Sequence, residues 1–207
     1  HGNGGNLSYT GWLLEELSAR GFDVLALDYR GYGRSEGEAT DETGIYRDAD
    51  AAYDYLMRER GVLPEKIVLY GQSLGTTAAV DVASRRRCAA IVLESGLSSA
   101  REMAALILPR GLRWLHALAQ NSFASTRKLE SVRCPVLVAH GALDSTIPVE
   151  QAHLLYNAAR EPKRLLIVPG ANHNDVVNRG GKEYLDTIAS FARDAAPRTD
   201  ALSAGAR

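Results

Sequence analysis

The sequence predicts an α/β domain, a mostly parallel sheet with helices on both faces. Three observations predict it. Short apolar runs of four to six residues alternate with longer stretches of helical periodicity. Those runs are continuously apolar, as strands buried on both faces require. Glycine-rich or polar loops follow the carboxyl ends of several runs, where open α/β sheets place their sites.

The elements read in order. Leu7 to Arg20 is helical, with Trp12, Leu13, Leu14 and Leu17 apolar and Glu15, Glu16 and Arg20 outward, and Gly21 stops it. Phe22 to Leu27 is a strand, followed by the glycine-rich loop Tyr29 to Gly37. Ile45 to Arg60 is a helix whose buried face carries Ala49, Ala52, Tyr53, Leu56 and Met57. Ile67 to Tyr70 is a strand, Leu74 to Ser84 a helix of small residues, and Cys88 to Leu93 a strand. Ser99 to Gln120 is helical but interrupted at Pro109 and Gly111. Val136 to His140 and Leu165 to Val168 are strands, and Val149 to Arg160 and Gly180 to Ala195 are helices. Residues 1–196 read as one domain, and the tail 197–207 is small, polar and expected to be disordered.

Composition narrows the class. The 207 residues carry 24 basic and 25 acidic side chains, a net charge of -1, which offers a nucleic acid no electrostatic purchase. Apolar runs reach about six residues, against the ~18 that a membrane span needs. Two cysteines, Cys88 and Cys134, allow one bridge at most and read as small apolar core residues in a reducing compartment. The sequence opens on His1, so no signal or anchor can be read; a cytoplasmic location is the default expectation.

Chemistry concentrates after the strand ends. Gly71-Gln72-Ser73-Leu74-Gly75 is a G-x-S-x-G between a strand and a helix. Such a turn lifts Ser73 clear of the backbone and sets it at a helix N-terminus, where the Leu74 amide faces a developing oxyanion. Asp144 follows the next-to-last strand and His173 the last, completing the chain order serine, acid, histidine. A serine nucleophile needs a base, and the base needs an orienting carboxylate. Glu94, ending its own strand, reads as a structural carboxylate, with the role of orienting acid as its alternative. The loop His1-Gly2-Asn3-Gly4-Gly5 supplies a second oxyanion donor, the amide of Asn3.

Other residues read more plainly. Gly31, Gly33 and Gly37 lack the spacing and the following apolar helix of a dinucleotide loop, so they read as a pocket wall. His140, Asp144 and His173 together suggest a metal site, but His140 directly follows the apolar strand Val136 to Ala139 and reads as a core or rim residue. Asp48 and Asp50 read as surface or capping charges, and Asp175 as a loop brace. No cofactor or metal is expected.

With these residues in view, the chain resembles the alpha/beta-hydrolase superfamily, and within it the serine aminopeptidase-like branch that includes depalmitoylase-like thioesterases. The resemblance rests on His1 to Asn6, Asp28 to Ser35, Gly71 to Gly75, Cys134 to Asp144 with Ile147-Pro148, and Gly170 to Asp175. It implies an alpha/beta-hydrolase fold lacking its first three strands, the third of which belongs between Phe22–Leu27 and Ile67–Tyr70. An N-terminally truncated sheet of low stability, with an unfilled central slot, is therefore expected. The resemblance also makes residues 97–125 a short lid-like excursion, rich in Met103, Leu106, Ile107, Leu108, Leu112, Trp114, Leu115 and Leu118. That excursion is either an acyl-chain pocket or lipid-touching surface, or a helix pair packed on the core.

The expected activity is hydrolysis of an ester or thioester in a small-molecule or acyl-bearing substrate through an acyl-enzyme. An aminopeptidase-like amidase is the alternative, although no acidic pocket for a free amine is visible. A non-catalytic binding module, or an acyltransferase with the same residues, are the remaining readings. The oligomeric state is not legible.

Overall fold

The computed structural model describes residues 1–38, 40–112 and 122–196. Its centre is a four-stranded sheet, all parallel, in the order β1 (Val68–Gln72), β2 (Ala90–Glu94), β3 (Val136–Gly141), β4 (Lys163–Val168). Parallel neighbours need crossovers, here α3 (Leu74–Arg85), then α4 (Ala100–Ile107) with α5 (Ser125–Leu129), then α6 (Glu150–Ala158). Helix α1 (Leu7–Ala19) and α2 (Glu42–Arg58) precede the sheet, and α7 (Val176–Ala195) ends it.

Strand alternation divides the core into two layers. Ile91, Leu93, Val136 and Val138 face α3, α5 and α6, meeting Val80, Leu129 and Leu155. Val92, Leu137 and Ala139 face the other way, onto Leu13 of α1 and Tyr184, Leu185 and Ile188 of α7. Side chains two apart share a face and neighbours do not, so one β strand supplies both layers.

Helix starts follow their caps. Asn6 caps α1 by accepting from the Ser8 amide at 2.9 Å. Asp41 accepts from the Gly44 amide at 2.8 Å, which starts α2 three residues before the expected Ile45. Helix α4 is shorter than the expected Ser99 to Gln120: it stops at Ile107 because Pro109 drives Leu108 out of helical geometry (ψ 143). Trp114, Leu115 and Leu118 lie outside the described residues, as does the tail 197–207. Helix α7 starts at Val176 rather than Gly180 and bends at Gly181, whose φ of 55° suits glycine.

One expected strand is absent. Phe22 to Leu27 forms no ladder with any described strand. Between it and β1 lies a cavity of about 720 Å³ lined by Leu13, Leu17, Val24, Leu27, Val68 and Tyr70. The cavity stands where the resemblance puts the third strand of the family, and without that neighbour an extended segment has no partner for its backbone groups. The bonds Ser73 N–H to the Glu94 carbonyl and Ala89 N–H to the Ile67 carbonyl turn alternate residues of β1 toward β2. Val68, Tyr70 and Gln72 therefore present their backbone to the cavity side.

Candidate active site

Ser73, Asp144 and His173 come from loops after β1, β3 and β4, so all three collect at the carboxyl end of the sheet. Ser73 has φ 51° and ψ -117°, a conformation that costs a non-glycine residue roughly 1–3 kcal/mol. The turn is held from both sides. The Ser73 amide donates to the Glu94 carbonyl at 2.8 Å, and its carbonyl accepts from the Thr76 amide at 3.0 Å and the Thr76 hydroxyl at 2.6 Å. Gly71 is required by packing: a Cβ there would lie 2.4 Å from the Gly75 carbonyl oxygen. Gly2 packs on the serine, where a Cβ would come within 3.2 Å of the Ser73 Cβ. This brings the Gly2–Asn3 peptide beside Ser73, while the Leu74 amide is the first of α3 and has no intrahelical acceptor. The Asn3 side chain accepts from the Tyr32 hydroxyl at 2.6 Å, which ties the 1–5 loop to the glycine-rich loop.

A continuous hydrogen-bonded line connects the three side chains. His173 Nε2 lies 3.0 Å from Ser73 Oγ, and His173 Nδ1 lies 2.7 Å from Asp144 Oδ2. Asp144 and His173 are each 7% exposed. Asp144 Oδ1 accepts from the Thr146 and Ile147 amides at 2.9 and 2.8 Å. Its Oδ2 also lies 3.1 Å from His140 Nε2. Burial alone would raise the pKa of this carboxyl, but hydrogen bonds from His140, His173 and the Ile147 amide outweigh it and hold the group well below the ordinary carboxylate range.

The loops carrying Asp144 and His173 are bound to each other. Asn172 Oδ1 accepts from the Ser145 amide at 3.0 Å, the Ser145 hydroxyl at 3.2 Å and the His173 amide at 2.8 Å. Asp175 accepts from the Asn172 amide at 2.5 Å, the bracing role its position suggests. Asn172 was missed in the sequence; a polar residue directly before a loop histidine is the only signal it offers.

Glu94 is the structural carboxylate. It is fully buried at the end of β2, and its carboxylate is taken by the Tyr70 and Tyr184 hydroxyls and by the Gln72 amide at 2.8 Å. Burial beside this carboxylate raises both tyrosines well above the ordinary phenol range. Glu94 makes no contact with His173, so it is a core carboxylate and not the orienting acid. His140 is buried as expected, but it reaches Asp144 as well as the Ile147 carbonyl, at 2.8 Å. Its link to the site was missed, because an i,i+4 pair spanning a strand end and a loop has no periodic signature.

The glycine-rich loop is a wall held by charge. Arg30 makes a multidentate pair with Asp48 of α2, with Nη2 to Oδ1 at 2.6 Å, so Asp48 is not a free surface charge. Asp50 pairs with Arg86 at 3.1 Å. Gly33 admits no side chain, because a Cβ would collide with the Asp28 carboxylate. Among the described residues no cluster of three metal-ligating side chains is present, and no helix is long and apolar enough to cross a membrane.

The parallel sheet, the strained serine turn and the strand-end loops together define an alpha/beta hydrolase. The chain belongs to the serine aminopeptidase S33 family, whose model matches residues 1–127. It is 38% identical over 198 residues to an uncharacterised protein of Mycobacterium tuberculosis, covering 95% of this chain and 69% of that protein. It is 38% identical over 216 residues to the alpha/beta hydrolase domain-containing protein aho-3 of Caenorhabditis elegans, covering all of this chain and 62% of that one. The chain thus spans about two-thirds of the length of these curated relatives. Among solved structures, the monoacylglycerol lipase of Paleococcus ferrophilus superposes with a TM-score of 0.72 at 22% identity, covering 94% of this chain and 92% of that one. The family and fold make the chain a hydrolase.

Proposed function

We propose that the protein is a serine hydrolase that cleaves an ester or thioester through an acyl-enzyme. The supporting observation is the line from Ser73 Oγ through His173 to Asp144, at 3.0 and 2.7 Å. In this reading His173 takes the Ser73 proton as the oxygen attacks the acyl carbon. Asp144 keeps the Nδ1–H tautomer, so that Nε2 is free to accept, and stabilises the imidazolium that follows. The Leu74 and Asn3 amides receive the tetrahedral oxyanion. His173 then returns its proton to the leaving group, water enters, and the same residues run the second half in reverse order.

The lipase name among the structural neighbours agrees with an ester substrate. An amide substrate uses the same groups, and the serine aminopeptidase description of the family makes it the second reading. Fluorophosphonate labelling of the purified protein beside Ser73→Ala tests the nucleophile. Labelling that disappears in the variant is expected; equal labelling in both, or none in either, refutes it. Turnover of short p-nitrophenyl esters against aminoacyl p-nitroanilides then separates esterase from aminopeptidase.

A further inference from the structure

Two thiols face each other at the opposite, amino-terminal end of the sheet. Cys88 lies two residues before β2 and Cys134 two residues before β3. These strands are parallel neighbours with Ile91 level with Val136, so the chain segments entering them run side by side. The two Sγ atoms are 3.2 Å apart, unbonded, and both residues are half-buried against the core layer of Ile91, Val136 and Leu155. A cysteine that merely fills space needs no sulfur partner. Here each thiol has the other as its polar neighbour, and both keep a route to solvent.

We propose that Cys88 and Cys134 form a redox-modification site, a reversible intramolecular disulfide that staples the entrance of β2 to that of β3. The thiols meet the requirement of sulfur proximity, since a disulfide needs them to close by only about 1 Å more. The Cys88 hydrogen bond eases loss of the Cys134 proton against the opposing effect of burial, while the same bond together with burial pushes Cys88 up. Cys134 is therefore the attacking thiolate. With glutathione disulfide as oxidant, Cys134 attacks one sulfur, forms a mixed disulfide and releases one glutathione thiolate. Cys88 loses its proton to water, attacks Cys134 Sγ and releases the second. Two protein thiols give up two electrons and two protons, and one glutathione disulfide becomes two glutathiones.

The bond closes a loop that contains α4 and α5. Restricting such a loop in the unfolded chain raises the melting temperature by on the order of 10 °C. Ser73, Asp144 and His173 sit past the far ends of the strands, so their geometry is left alone.

The test equilibrates the purified protein in mixtures of reduced and oxidised glutathione, then applies intact mass, alkylation mapping and thermal melting. Expected are a mass lower by two hydrogens, a non-reduced peptide joining Cys88 to Cys134, and a rise in melting temperature that dithiothreitol reverses. Cys88→Ala is expected to hold glutathione on Cys134 and show no rise. The mapping of the unmodified protein stands alone should that variant not fold. Thiols that stay fully alkylatable in oxidised glutathione overturn the proposal, as do bonds found only between molecules or a bond that leaves the melting temperature unchanged. Fluorophosphonate labelling that is equal in both redox states is expected, and labelling that differs between them overturns the separation of the two ends. Absence of labelling in both states bears on the serine reading alone.

Discussion

Asp144→Asn perturbs the site through hydrogen-bond polarity with little change in shape. Asp144 offers two oxygens to four donors: the Thr146 and Ile147 amides on Oδ1, and His173 Nδ1 and His140 Nε2 on Oδ2. An asparagine satisfies the two backbone amides with its carbonyl oxygen, which turns its NH2 toward both imidazoles. His173 can accept that bond only by moving its proton to Nε2, where it donates to Ser73 and no longer serves as a base. His140 cannot make the same exchange, because its Nε2 also faces the Ile147 carbonyl at 2.8 Å, which needs a donor. A buried conflict of that kind costs about 1–3 kcal/mol of stability.

Loss of the base tautomer is the larger effect. Removing the correct histidine tautomer costs roughly 10⁴-fold in acylation rate, or about 5.4 kcal/mol in barrier. The assay is the rate of fluorophosphonate or p-nitrophenyl ester acylation, read beside a thermal melt. Expected is a protein that melts somewhat lower yet still cooperatively, and acylates at least a thousandfold more slowly. A folded variant within tenfold of the parent refutes the role given to Asp144.

Further expectations follow from the same geometry. Glu94→Gln should keep acylation within a few-fold, because Glu94 touches Tyr70, Tyr184 and Gln72 and not His173; a thousandfold loss in a folded variant would return the acid role to it. Gly71→Ala should lower the melting temperature by roughly 5–10 °C, since its Cβ meets the Gly75 backbone and overpacking costs about 1–3 kcal/mol; an unchanged melt would show that the turn relaxes freely. Because folding depresses the Asp144 pKa, the stability this carboxylate contributes is present above about pH 4 and is lost as pH falls through its folded pKa. Urea midpoints should therefore drop from pH 4 toward pH 2, and less steeply in Asp144→Asn; equal slopes would refute this assignment.

The parallel sheet was legible because Ala90–Leu93 and Val136–Ala139 are continuously apolar, and both prove fully buried. Ser73, Asp144 and His173 stood out because each lies in the loop after an apolar run, and in the structure His173 lies within hydrogen-bond distance of both Ser73 and Asp144. Phe22 to Leu27 misled for the same reason. An apolar run reports a wish for burial, but a strand also needs a neighbour to bond, and here the space beside it is a cavity. The partners of Asp144 and Glu94 were not legible either. His140, Tyr70 and Tyr184 meet these carboxylates through tertiary folding, and no local spacing encodes which of two strand-end acids finds the histidine.

That choice is made by the loops and not by the strands. Glu94 and Asp144 both lie near the carboxyl ends of adjacent strands, but Glu94 is still within β2, where its side chain is committed to the α7 layer and to Tyr184. Asp144 lies three residues beyond β3, in a turn that its own Oδ1 closes onto the Thr146 and Ile147 amides. That closure frees Oδ2 to point at His173, and Asn172 fixes the distance by bonding the Ser145 and His173 amides at once. The separation between the Asp144 and His173 loops is thus held by backbone donors from both loops meeting a single side-chain oxygen. The histidine's reach to Ser73 then depends on the serine turn, whose strained φ is held by the Glu94 carbonyl and by Thr76. Glu94 thus supports the serine through its main chain, while its carboxylate takes no part in the hydrogen-bonded line.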